Sequence, residues 1–315
     1  MTMRNILIGL GAGMASALLF AGLISGTALA FPLFILSPLP IAIAGLGFGT
    51  MSGAAAAVLA SALIGFTIGP IAGGLYFILF AAPVAWVAHL IGLSRPDETG
   101  DGRQWFPLDS VLFRAAIVVA VAVVVSGIVL SYDPEALISQ TMTVLKGWLA
   151  ESASDGMTPT DAEIEPLIRF NIALMPFTSA SLTLGILVLS TWLGARIARM
   201  SGLLQREWTP LWTVVLPQQA AFLFGAAFVA SMIPGVPGQI AAAVAGAIGF
   251  AFALTGFGLL HAMLLGKAAR PLLLFLVYAV SFVFLLPLGI MAVVGLVDTA
   301  LQFRARRFAA RTGIS

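Results

Sequence analysis

The chain has no cysteine, only 2 histidines and very little charge: 9% of its 315 residues are Asp, Glu, Lys or Arg. Each shortage excludes something. Without cysteine there are no disulfides, thiolate metal sites or cysteine nucleophiles. With His89 and His261 far apart in sequence, a histidine-rich metal site is not expected. A soluble domain carries roughly 25% charged residues, so this chain has too few to cover a water-facing surface. The balance of 15 basic against 13 acidic residues is also too even to argue for nucleic acid. Motifs are missing as well. There is no G-x-x-x-x-G-K-[ST], no H-E-x-x-H and no G-x-S-x-G, so no P-loop, zinc-protease or serine-hydrolase chemistry is written here. No carboxylate pair falls at membrane depth, which counts against an intramembrane acid–base enzyme and a proton-coupled antiporter. The sequence is read as a non-enzyme with no cofactor.

What is present is apolar: 60% of the residues are hydrophobic. Apolar segments delimited by Pro, Gly or charge fall at about 5–29, 31–48, 50–69, 71–93, 110–131, 170–194, 209–233, 239–265, 271–286 and 288–303. Several reach the ~20 residues needed to cross a bilayer, and only helices satisfy their own backbone there. The fold class is therefore all-α: a polytopic membrane bundle of about ten segments, ending in a short hairpin. Arg4, an apolar run and Ala28-Leu29-Ala30 imitate a cleavable signal peptide. Because the chain stays apolar through Phe31-Pro32-Leu33-Phe34, a retained first helix is the preferred reading.

Charge sets the orientation. With a cytoplasmic N-terminus and ten spans, every Lys and Arg except Lys146 and Arg169 lies inside, a strong positive-inside bias. Fusing the last two segments into one span would export Arg304, Arg306, Arg307 and Arg311, so the hairpin is favoured. Both termini are then cytoplasmic, and the membrane is a bacterial inner membrane. Residues 1–93 form an N-terminal four-helix group, 94–108 a cytoplasmic loop, 109–303 a C-terminal group and 304–315 a basic tail.

The insertion 132–168 is acidic and falls outside. Asp133-Pro134 starts a helix, along which Leu137, Ile138, Met142, Leu145, Trp148 and Leu149 make one apolar stripe. A helix lying on the outer membrane surface fits this pattern, either as a connector or as a lid. Thr160-Asp161-Ala162-Glu163 is a capping box that opens a second short helix.

Three constellations carry candidate sites. Gly9, Gly13, Ala17, Ala21 and Ser25 form a strip of small residues at four-residue spacing, suited to close helix packing or to docking a partner subunit. Similar strips follow at Gly53, Ala57, Ser61, Gly65 and Gly69, and at Ala241, Ala245, Gly249 and Ala253. Pro32, Ser37, Pro38 and Pro40 break the second segment, and freed carbonyls at membrane depth are tolerated only beside protein or a water-filled cavity. Gln218 and Gln219, after Pro217, are read as a mid-depth polar pair that either touches a ligand or bonds between helices. A ligand cavity is thus expected between Ser37, Pro38, Pro40 and these two glutamines, opening toward the outside loop.

From Trp208 onward the chain resembles the YybS-like family of uncharacterised bacterial membrane proteins. Leu216-Pro217, the run from Thr255 through Gly256 to His261, Gly295-Leu296-Val297-Asp298, and Arg304 within Phe303-Arg304-Ala305-Arg306-Arg307 carry the resemblance. That family is in turn similar to the S components of energy-coupling-factor vitamin transporters, whose first-helix strip docks a coupling subunit. The YybS-like family has no established activity to carry over; the whole sequence is read as a transport-like protein that binds a small or amphipathic molecule within its bundle, with the lipid bilayer as a partner, and the resemblance adds a coupling subunit or other membrane protein as an expected partner. The rival reading is a non-transporting scaffold or assembly factor.

Overall fold

The structure is a computed structural model, and it describes residues 3–97, 102–152, 160–284 and 286–304. The basic tail beyond Arg304, and parts of the 94–108 loop and the 132–168 insertion, lie outside the described residues.

Apolar composition without a two-residue alternation yields helices almost throughout. In chain order they are α1 (Met3–Ala21), α2 (Ala30–Leu36), α3 (Leu39–Phe48), α4 (Thr50–Thr67), α5 (Pro70–Tyr76), α6 (Ala82–Gly92), α7 (Leu108–Val129), α8 (Pro134–Ser152), α9 (Asp161–Met200), α10 (Gln218–Ala230), α11 (Val236–Met263), α12 (Arg270–Val283) and α13 (Leu286–Leu301). Between α6 and α7, strands β1 (Ser94–Pro96) and β2 (Arg103–Trp105) pair antiparallel, with Ser94 opposite Trp105. Among the described residues, seven helical stretches are long and apolar enough to cross a membrane.

Prolines set the interruptions. Pro38 and Pro40 separate α2 from α3, which together make one stretch of membrane length. Pro83 cannot donate to the carbonyl of Leu79, and the turn before it widens into a π-helix over Phe77–Ala81. In the segment expected at 209–233, only Gln218–Ala230 is α-helical, a rod of about 20 Å at 1.5 Å per residue. The chain turns by 120° between α12 and α13, so it heads back toward the side it came from.

Close packing uses the small residues. A methyl group at Gly9 would sit 2.5 Å from the Ser52 carbonyl oxygen, and one at Gly13 2.8 Å from that of Ala56, so α1 and α4 meet backbone to backbone. Asn5 adds a bond from its side-chain amide to Phe48 O at 3.2 Å, and Ser52 donates to Asn5 O at 2.7 Å. In lipid, where apolar side chains gain nothing by leaving solvent, such contact surfaces drive helix association. The most enclosed long helix is α11, with 67% of its apolar window buried. It packs on α7, α9, α10 and α13, while α4 collects α1, α3, α5 and α6. One buried cluster runs from Ala17 through Val119 and Leu184 to Phe252, so the N- and C-terminal groups share a single core.

The 132–168 insertion folds differently from the surface helix expected of it. The capping box forms, with Thr160 N donating to Glu163 at 2.8 Å, but the helix it opens is no short connector. It continues through Pro166 and Pro176 to Met200, 40 residues and about 60 Å. That is roughly twice the ~30 Å hydrocarbon thickness. Ile138 of α8 buries against Ile164, Ile168 and Ile172 of α9, with Leu137, Met142, Leu145 and Leu149 around them. Each buried isoleucine contributes about 1.5–3 kcal/mol. The apolar stripe is therefore covered by protein, and Trp148 alone of the expected stripe points away, 67% exposed. Lys146–Asp161 and Arg169–Glu135, both 2.6 Å, tie the two ends of this antiparallel hairpin. Being exposed, they set its register more than its stability.

Candidate functional site

The strongest candidate site is a cleft of about 400 Å³ where the end of α7, the middle of α9 and the start of α11 converge over the π-turn. Its walls are Leu79, Val123, Val124, Ile128, Leu130, Met175, Pro176, Val236, Ile240 and Ala243. Its polar groups are Ser126, Ser131, Tyr132, Ser179, Thr183 and Gln239, and no charged side chain lines it.

Local sequence builds each wall. At the end of α7, Ser131 N donates to Ile128 O at 3.0 Å and Tyr132 N to Gly127 O at 2.8 Å, closing the helix. Ser131 takes φ 51°, a left-handed conformation that costs a non-glycine residue about 1 kcal/mol or more. This turn aims Tyr132 at α9. Pro176 has no N–H for the carbonyl of Ile172, four residues earlier, and the Tyr132 hydroxyl donates to that carbonyl at 2.9 Å. Burial pushes the Tyr132 hydroxyl above its usual pKa of 10, keeping it a donor.

Ser126 is the chemically distinctive group. Helical serines in apolar surroundings usually return their hydroxyl to the carbonyl one turn back. Ser61 does so at 2.9 Å to Ala57 O, and Thr191 at 2.8 Å to Leu187 O. The Ser126 side chain is 5% exposed, and its Oγ has no partner. A buried hydroxyl left this way costs about 1–3 kcal/mol. Three other described polar atoms share that condition (Ser190 Oγ, Arg206 Nε and Thr299 Oγ1), but they line other parts of the bundle.

The expected cavity between the second segment and the glutamines does not form. Ser37 is fully buried and donates to Phe34 O at 2.8 Å, and Pro38 is sealed beside it. The rings of Phe20, Phe34, Tyr76 and Phe80 fill this side of the bundle with centroid separations of 4.9–5.9 Å, and Tyr76 OH bonds Ser16 Oγ at 2.7 Å. Pro40 is half-buried in α3, which packs on α1, α4, α6 and α9. Gln218 and Gln219 open α10, exposed, in a helix that packs on α11 and α13. The two segments occupy different parts of the molecule.

The α1 strip faces inward, with Gly9, Gly13 and Ala17 buried and Ala21 half-buried. The side chain of Ser25 lies outside the described residues. At the other end of the molecule, three of the four C-terminal motif residues come together. A methyl at Gly256 would collide with the carbonyl of Met291, and one at Gly295 with that of Phe252. Asp298, 1% exposed, accepts from Arg304 Nε at 2.5 Å and from its backbone N at 3.2 Å. The guanidinium also donates to Trp212 O at 2.6 Å, Val214 O at 3.0 Å and Thr255 O at 2.8 Å. This knot ties the residues just after α13 to α11 and to the segment before α10. His261 stands apart, its Nε2 3.0 Å from Tyr278 OH. Arg206, its charge disfavoured by burial, donates to Phe106 O at 2.7 Å, just after the β1–β2 hairpin. No family model, curated protein or solved structure matches the chain. The cleft is therefore read from its own geometry.

Reasoning from sequence missed Ser126, Tyr132, Ser179, Thr183 and Gln239. One signal was available: Pro176 interrupts an apolar segment that also carries Ser179 and Thr183. Nothing in the spacing joins them to Ser126 or Gln239, which come from other helices.

Proposed function

We propose that this chain is a multi-pass membrane protein of about ten passes that holds a small or amphipathic molecule in the cleft between α7, α9 and α11, as the binding part of a transport-like system. The unpartnered Ser126 hydroxyl at the floor of a 400 Å³ apolar cleft carries this reading. Small-molecule sites are typically concave, mostly apolar and about 300–1,000 Å³, with a few placed polar groups. The near-total confinement of Lys and Arg to one side supports a bacterial inner membrane with both termini inside. The 120° turn between α12 and α13 agrees with a terminal hairpin, which keeps Arg270 and Arg304 on that side. Kinship with YybS-like proteins belongs to the same proposal, supported by the joint packing of Gly256, Asp298 and Arg304. Against the scaffold reading, Gly9 and Gly13 of the α1 strip are spent on α4 rather than left free for a partner.

Native mass spectrometry of protein released from its own membrane tests the proposal. The expected result is a bound mass that is lost in Thr183→Leu, which fills the cleft floor. Empty wild-type protein with native stability, giving the same spectrum as the variant, would remove the proposal.

A further inference from the structure

The chemistry of the cleft narrows its occupant. Its rim is open and carries Ser131, Tyr132 and Gln239 among a larger set of apolar side chains: Ile128 and Leu130 on the α7 side, Met175 on α9, and Val236 and Ile240 on α11 are all exposed. In a bundle of membrane-length helices, an exposed apolar edge is wetted by lipid chains. Depth agrees. Val236 begins α11, and Leu130 caps α7. Pro176 lies 24 residues before the end of α9 (200 − 176), about 36 Å along the helix axis. All three therefore mark the outer ends of their spans. Thr183 and Ala243 are each seven residues further in, about 10 Å deeper. The cleft thus descends from the outer interface into the hydrocarbon zone, open on a lipid-facing side.

Thr183 stands at that depth, with Ser126 and Ser179 about 4–6 Å below the rim residues Leu130 and Pro176, and neither a carboxylate nor a cation is among the lining residues. An ionised head group drawn into such a floor would lose its hydration and find no counter-charge. A hydroxyl, ester carbonyl or amide would instead pair with the Ser126 hydroxyl, which has no partner to give up when its side chain turns into the cleft.

Resting on the reading of the cleft as a binding site, we propose that its ligand is an uncharged amphiphile, admitted sideways from the outer leaflet. Its neutral hydroxyl or carbonyl head meets Ser126 and Thr183, and its apolar chain leaves between Met175 and Ile240 toward the bilayer.

The test uses the full chain in phosphatidylcholine vesicles and three photoreactive diazirine probes: a monoacylglycerol, a lysophosphatidate with the same chain, and chain-free glycerol. Cross-links are mapped by peptide mass spectrometry. The monoacylglycerol is expected to label peptides spanning 123–132, 175–183 and 236–243 at least five-fold more than the lysophosphatidate. That labelling should fall about five-fold in Thr183→Leu and about three-fold in Ser126→Ala, a change small enough to leave the fold intact. Equal or stronger labelling by lysophosphatidate overturns the neutral-head assignment but leaves the cleft a binding site. Labelling by the glycerol probe alone overturns sideways access. If no probe labels these peptides in folded protein, both this proposal and the cleft reading fall.

Discussion

The Ser126 hydroxyl allows a comparison in which one substitution has opposite effects at two places. Ser126→Ala removes a buried hydroxyl with no partner, whereas Ser61→Ala removes one bonded to Ala57 O at 2.9 Å. Both serines lie within helices and are about nine-tenths buried or more. The gain in helix propensity on going to alanine therefore cancels between them. What remains is relief of an orphaned group, about 1–3 kcal/mol, on one side. On the other is loss of a made bond, about 0.5–1.5 kcal/mol. The variants should differ by roughly 1.5–4.5 kcal/mol, with Ser126→Ala the more stable. At about 2–4 °C per kcal/mol, their midpoints separate by roughly 3–18 °C. Scanning fluorimetry on tryptophan emission, in a lipid-free zwitterionic detergent whose ionised head the uncharged cleft does not take, reads the difference directly. Equal midpoints, or Ser126→Ala the less stable, would show that the hydroxyl already has a partner and refute the argument.

Arg304→Ala should cost about 3–5 kcal/mol, because it leaves Asp298 buried without its counter-charge; a thermal midpoint within 2 °C of wild type would count against the C-terminal knot. Gly13→Leu should force α1 off α4 and sharply lower the yield of folded protein, since even a methyl there lies 2.8 Å from Ala56 O; normal size-exclusion behaviour and stability would contradict that contact. Tyr132→Phe should cost about 1 kcal/mol at neutral pH by leaving the carbonyl freed by Pro176 without a donor. Because burial raises the Tyr132 pKa above 10, its share of stability holds at lower pH and is lost as pH rises beyond 10; the Phe variant should be less sensitive to alkali, as melting curves between pH 8 and 11 would reveal. Reporter fusions after Gly156 and at Ser315, both outside the described residues, should report outside and inside respectively; an external signal at Ser315 would break the terminal hairpin.

Local signals in the sequence were enough for some of this. Runs of apolar residues near bilayer length require helices, because in lipid each span must satisfy its own backbone. The capping box at Thr160 and Glu163 and the cap at Asp133 are written within a few residues, and both form. Small residues every fourth position mark a helix face whatever it packs on, and on α1 that face meets α4.

What covers a face, and where a void remains, depends on residues far apart in the chain. The stripe on α8 had the periodicity of a membrane-surface helix. Whether lipid or protein would cover it was decided by three isoleucines on α9 and by that helix running on through Pro166 and Pro176. The proline break at Ser37, Pro38 and Pro40 announced freed carbonyls, but aromatic rings contributed by α1, α2, α5 and the π-turn fill the space beside it. The cleft arose instead where the end of α7, the middle of α9 at Pro176 and the start of α11 meet, beside the turn at Ser131 and Tyr132. A helix face follows from spacing along one segment, but a cavity is a mismatch among several packed surfaces, and only the tertiary structure brings those surfaces together.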